Sequence, residues 1–93
     1  MAKLSARGRD EVFRLKKSWA DREDDTKDSI TWLSFRNDGV ALKKITWRSW
    51  DSFAEKWVSR ATGWKVWRKC GHKWAEQFPA MKTNLLENGW EEA

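Results

Sequence analysis

The residues able to do chemistry in this chain fall into two unequal groups. The first is small: His72 is the only imidazole and Cys70 the only thiol. On a strand, positions two apart share a face, so Cys70 and His72 would meet there as nucleophile and base. A small buried thiol beside a surface histidine explains the same pair without catalysis. One Cys and one His cannot complete a Cys/His zinc site. Asp21, Asp24, Asp25 and Asp28 offer carboxylates, but their spacing matches no calcium loop and reads as a solvated acidic stretch. No G-x-G-x-x-G and no phosphate-binding P-loop is present. These residues predict no enzyme, no metal and no cofactor.

The second group is large: 19 Lys and Arg interleaved with 9 Trp and 4 Phe. Cationic side chains neutralise phosphates, and bases stack on aromatic faces, each stack contributing about 1–3 kcal/mol. That combination predicts nucleic acid, DNA or RNA, as the partner. Lys65 and Lys69 stand four apart and share a face in either a strand or a helix. Trp67 joins them if the segment is a strand, and Arg68 and Lys73 extend the same basic run. Trp32, Arg36 and Lys44 form a second candidate set, and Arg7 and Arg9 flank Gly8 in what reads as a flexible basic arm over residues 1–9.

Charge distribution supports this partner class. The chain of 93 residues carries +5 overall. Residues 36–82 alone sum to +7, with Trp47, Trp50, Trp57, Trp64, Trp67 and Trp74 among them, while residues 21–35 and 83–93 each sum to −3. Such a block favours a polyanion. The apolar runs are too short for a membrane span. Nothing after Met1 resembles the apolar core of a secretory leader, and a single cysteine fits a reducing compartment; the expectation is cytoplasmic.

The elements that must position these side chains begin with a hairpin. Residues 30–36 and 40–47 are rich in strand formers, and Asn37-Asp38-Gly39 between them fits a three-residue loop with Gly39 in the left-handed region. That loop sets Leu33 opposite Lys43 and Trp32 opposite Lys44. Leu33, Phe35, Ala41, Ile45 and Trp47 then share the core face; Ile30, Trp32, Arg36, Val40, Leu42 and Lys44 share the other. Residues 11–17 fit either an edge strand or a helix, and Asp21 to Ser29 reads as a loop. Ser52-x-x-Glu55 is a capping box, and Phe53, Ala54, Trp57, Val58 and Ala61 make a stripe, which together predict a helix over 52–61. Pro79 opens a second helix over 79–88 and Gly89 ends it. Residues 64–78 fit two descriptions: a strand bracketed by Gly63 and Gly71, or a helix with Trp64, Trp67, Trp74 and Phe78 on one side.

Two resemblances bear on these alternatives. The opening Lys3-Leu4-Ser5-Ala6-Arg7-Gly8-Arg9-Asp10-Glu11, the Asn37-Asp38-Gly39 turn, Gly63-Trp64-Lys65-Val66 and Gly89-Trp90 resemble small phage and prophage proteins. The resemblance implies a hairpin-based fold with a strand over 64–70, and implies no activity. Trp50-Asp51-Ser52-Phe53-Ala54, followed by Cys70-Gly71-His72-Lys73-Trp74, is similar to the last two helices of Myb/SANT-like trihelix domains. That similarity implies a DNA-recognition helix over 64–77 with Lys65, Arg68, Lys69 and Lys73 on its basic face.

The expected fold is therefore α+β in one domain: a small antiparallel sheet built on the 30–47 hairpin, with two short helices. An all-α Myb-like domain is the alternative. The expected function is a small nucleic-acid-binding module of phage or prophage origin. Because Trp and Arg also dominate protein interfaces, the alternative is an interaction module that binds and inhibits a host or defence protein.

Overall fold

The computed structural model describes residues 11–20 and 25–93. The basic arm and Arg7 and Arg9 within it lie outside the described residues. The described residues form an antiparallel sheet of six strands, with one α-helix and one 3-10 helix near the C-terminus. The strands are β1 (Glu11–Ser18), β2 (Thr26–Arg36), β3 (Val40–Asp51), β4 (Lys56–Ala61), β5 (Lys65–Lys69) and β6 (Glu91–Glu92). The order is β4-β3-β2-β1-β6, with β5 also paired to β3. β4 and β5 follow one another along the same edge of β3: Asp51–Thr46 takes β4 and Lys43–Val40 takes β5.

The hairpin register follows from its loop. Leu33 opposes Lys43 and Trp32 opposes Lys44, as the three-residue loop predicts. The loop is closed by Gly39 N–H donating to Arg36 O and by Asp38 Oδ1 accepting from Val40 N–H. Gly39 has φ +79°, and a Cβ there would sit 1.7 Å from Gly71 O, so this position admits no side chain. The contact ties the loop to the chain leaving β5, where Cys70 N–H donates to Gly39 O.

The sheet has two faces, and the helices cover only part of one. Leu15, Leu33, Phe35 and Ala41 point to the face that receives the 3-10 helix His72–Gln77 and α1 (Phe78–Glu87). Phe78 is buried against them, and Trp74, Ala75, Met81, Leu85 and Trp90 close the rim. Phe35 sits at the centre, with Phe13 stacked at 4.4 Å and Phe78 edge-on at 5.3 Å. The cover is short by construction. Ten helical residues span roughly 15 Å, whereas the twelve of β3 run about 40 Å. Thr31, Lys43 and Ile45 continue the same face beyond the helix.

Four expectations are corrected. Residues 52–61 are not a helix: Asp51 Oδ1 accepts from the Phe53 and Ala54 N–H groups, Glu55 takes φ +52°, and the chain turns straight into β4. Trp57 and Val58 suit a strand, and β3 offers six consecutive partners, whereas a helix would need an apolar surface that this small core lacks. The all-α Myb-like arrangement is overturned with it, because residues 65–69 are strand β5 and only 72–77 form a 3-10 helix. The α+β expectation with two helices gives way to a mostly antiparallel sheet with, among the described residues, a single α-helix, the one expected after Pro79. The loop expected to run to Ser29 ends earlier, since β2 starts at Thr26, and residues 11–17 take their strand form.

Candidate nucleic-acid interface

Continuing β1 past its end sets Trp19 on the same face as Phe13, Leu15 and Lys17. Trp19 N–H donates to Ser29 O, which prolongs the pairing with β2. Its indole Nε1–H donates to Thr31 Oγ1 at 2.9 Å, and Lys17 Nζ lies over its ring at 4.6 Å. Lys17 is itself held by the carbonyl of Asn88 at the end of α1, 3.1 Å away. The ring is thus pinned at its edge and backed by a cation, yet remains 42 % exposed.

Beside Trp19 runs a groove of about 530 Å³ whose floor is Thr31, Lys43 and Ile45. A second hollow of about 240 Å³ shares Lys43 and Ile45 and continues to Thr62, Lys65 and Trp67. The two form one diagonal trough across β1, β2, β3 and β5. No acidic residue lines either part among the described residues. Lys43 and Lys65 are direct cross-strand partners, and no described carboxylate lies within ion-pair distance of either. Like charges placed opposite one another oppose the pairing that brings them together.

Trp67 closes the far end. Trp67, two residues from Lys65, keeps to the covered face, where it meets Phe35 edge-on at 6.2 Å, and the register of β5 then slips between Ala41 and Leu42 in a β-bulge. The Arg68 guanidinium lies 4.7 Å from the Trp67 ring centroid. Trp67 remains 37 % exposed. Both ends of the trough therefore carry an indole with a cation against it.

The opposite face uses the same residue types differently. Trp32 donates from Nε1 to Thr46 Oγ1 at 3.0 Å, with Lys16 and Lys44 over its ring at 5.6 and 5.2 Å. Lys44 also lies 4.9 Å from the Trp64 ring, and the Arg14 guanidinium 5.2 Å from it. Beside this cluster Ser34 and Leu42 are fully buried. Glu11 supplies a counter-charge: its carboxylate accepts from Arg14 Nε at 3.1 Å and from the Ser34 hydroxyl.

The ten side chains expected to touch nucleic acid consequently separate. Lys65 and Trp67 come together on the trough, and Arg68 lies against the Trp67 ring. Lys69 opposes Val40 and, because of the bulge, turns to the other face, so the shared face expected for Lys65 and Lys69 does not form. Trp32 and Lys44 belong to the closed face, and Arg36 is bound to Asp38 within the hairpin loop at 2.7 Å. Lys73 is exposed on the 3-10 helix. Arg7 and Arg9 lie outside the described residues. Sequence reasoning missed two contributors, Trp19 and Lys17, and counted Lys43, beside Lys44, only as an extension of the basic surface. Each carries a signal all the same. Lys43 is the one charge on the expected core face, and Trp19 continues the odd-numbered alternation through Phe13, Leu15 and Lys17.

Cys70 and His72 are both exposed, and Gly71, at φ +86°, separates the strand end from the 3-10 helix, so the two do not lie on one strand. Among the described residues no cluster of His, Cys, Asp and Glu could hold a metal ion, and no helix is long and apolar enough to cross a membrane. Comparison with protein families, curated proteins and solved structures gave no match to this chain.

Proposed function

We propose that this chain is a small nucleic-acid-binding module that works through the open half of its sheet. The observation carrying the reading is the Lys43–Lys65 pair: two cations forced opposite one another between exposed indoles, with no carboxylate among the described residues lining the trough. A like-charge pair of this kind costs folding stability and supplies a positive field to a polyanion. The net charge of +5 adds long-range attraction of the same sign. The resemblance of the opening and turn motifs adds phage or prophage origin to the proposal, and the single cysteine adds a cytoplasmic setting.

The test is a salt titration of binding to fluorescein-labelled oligonucleotides. Affinity should fall steeply with salt. The double variant Lys43→Glu/Lys65→Glu should bind more weakly and with a shallower slope, by about 0.7 for each phosphate of a single strand that is no longer neutralised. Absence of binding at low salt sinks the reading.

A second reading, a protein-interaction module, rests on a different place. At the tip of the β3–β4 hairpin Phe53 is completely exposed, and Trp50 meets Trp57 edge-on at 5.6 Å just behind it. Asp51 and Glu55 stand in the same turn, which disfavours a polyanion there. A protein partner that survives nuclease treatment and fails to bind Phe53→Ala supports this reading; retention by that variant removes it.

A further inference from the structure

The trough also indicates which kind of nucleic acid would fit. Resting on the reading above, we infer that its ligand is a single strand, with bases stacked on Trp19 and Trp67 and the intervening phosphates held by Lys43 and Lys65. The two indoles are built alike. Trp19 is fixed by its hydrogen bond to Thr31 and has Lys17 against its ring; Trp67 is fixed against Phe35 and has Arg68 against its ring. Each ring keeps more than a third of its surface exposed while its orientation is set. A fixed ring loses little freedom when a base settles on it, and the cation on the ring adds to the stack.

Between the rings lie three strand spacings and several residues of stagger, a diagonal on the order of 20 Å. That length suits roughly four nucleotides, the lower end of the site sizes of single-strand-binding β-barrels. A paired duplex keeps its bases stacked on one another and offers their edges, not their faces, to a groove reader. α1 also offers little for reading those edges from a helix. The one basic residue of α1, Lys82, is ion-paired to Glu92.

The decisive experiment compares three polyanions on the full-length chain: a thymidylate decamer, a DNA duplex of equal length, and inorganic polyphosphate of equal charge. The decamer should bind tightest of the three. Trp19→Ala and Trp67→Ala should each weaken decamer binding about fivefold to a hundredfold, with little effect on polyphosphate. Trp19→Phe and Trp67→Phe should recover most of the loss, which separates stacking from misfolding. Equal affinity for decamer and duplex, or alanine variants that bind like the parent, overturns the single-strand inference. The broader reading survives that outcome if Lys43→Glu/Lys65→Glu still weakens duplex binding. If no nucleic acid binds, both fall together.

Discussion

Two tryptophan clusters lie back to back across one sheet, and their difference is instructive. Trp32 and Trp64 on the closed face, like Trp19 and Trp67 on the open one, carry cations against their rings. Cation–π contact therefore does not distinguish a binding ring from a structural one. Counter-charge does. The closed face contains the Glu11 carboxylate, in contact with Arg14 and Ser34, and Leu42 is fully buried there. The open face places Lys43 opposite Lys65 with no described carboxylate to answer either. One arrangement holds a counter-charge within the protein, and the other gains from a partner's negative charge.

The strongest way to break this contrast is to remove a ring from the closed side. Trp64→Ala should lower unfolding free energy by about 2–3 kcal/mol, somewhat less than a fully buried ring would cost. Binding by the fraction that remains folded should not change. Urea denaturation alongside the oligonucleotide titration measures both. Loss of binding without loss of stability would exchange the roles assigned to the two faces.

A single charge change sharpens the contrast by moving two quantities in opposite directions. Lys43→Glu puts a carboxylate opposite Lys65. Opposite charges across strands stabilise where like charges destabilise, by roughly 0.2–1 kcal/mol, so the midpoint of urea unfolding should rise. Oligonucleotide affinity at low salt should fall about tenfold. A structural lysine pair would show the stability change alone.

Much of the fold was legible in residue types and spacing. Asn37-Asp38-Gly39 determined the loop length, the loop determined the register, and the register sorted Leu33, Phe35 and Ala41 from Trp32 and Lys44. Pro79 and Gly89 bounded the helix by local backbone chemistry alone. What failed was the segment whose local and tertiary preferences disagree. Ser52-x-x-Glu55 has the spacing of a helix cap, but Asp51 takes the capping role in a turn and β3 claims the residues that follow. Asp51→Ala should accordingly cost about 1 kcal/mol, the worth of hydrogen bonds to an exposed turn. Ser52→Ala should fall within about 0.5 kcal/mol of the parent, whereas a helix cap there would cost about 1 kcal/mol. The site was only half visible for a related reason. One extra residue at the bulge reverses every side chain beyond it, and this parted Lys69 from Lys65.

The smallest effect isolates how the open face holds its rings. Thr31 and Thr46 do the same job on opposite faces, each hydroxyl accepting from an indole N–H, of Trp19 and Trp32 respectively. Valine preserves their shape and strand preference and removes only the acceptor. Each substitution should cost stability on the order of 1 kcal/mol. Thr31→Val should also weaken decamer binding about threefold, because an unpinned Trp19 gives up rotational freedom when a base stacks on it. Thr46→Val should leave binding alone, since Trp32 faces no ligand. Thr31 also lies on the trough floor, within reach of the strand itself, and a double-mutant cycle with Trp19→Ala separates the two routes. If Thr31 acts through the ring, Thr31→Val has no further effect once the ring is gone. If the threefold loss persists without Trp19, the hydroxyl itself touches the nucleotide, and Trp19 stands at the trough unaided.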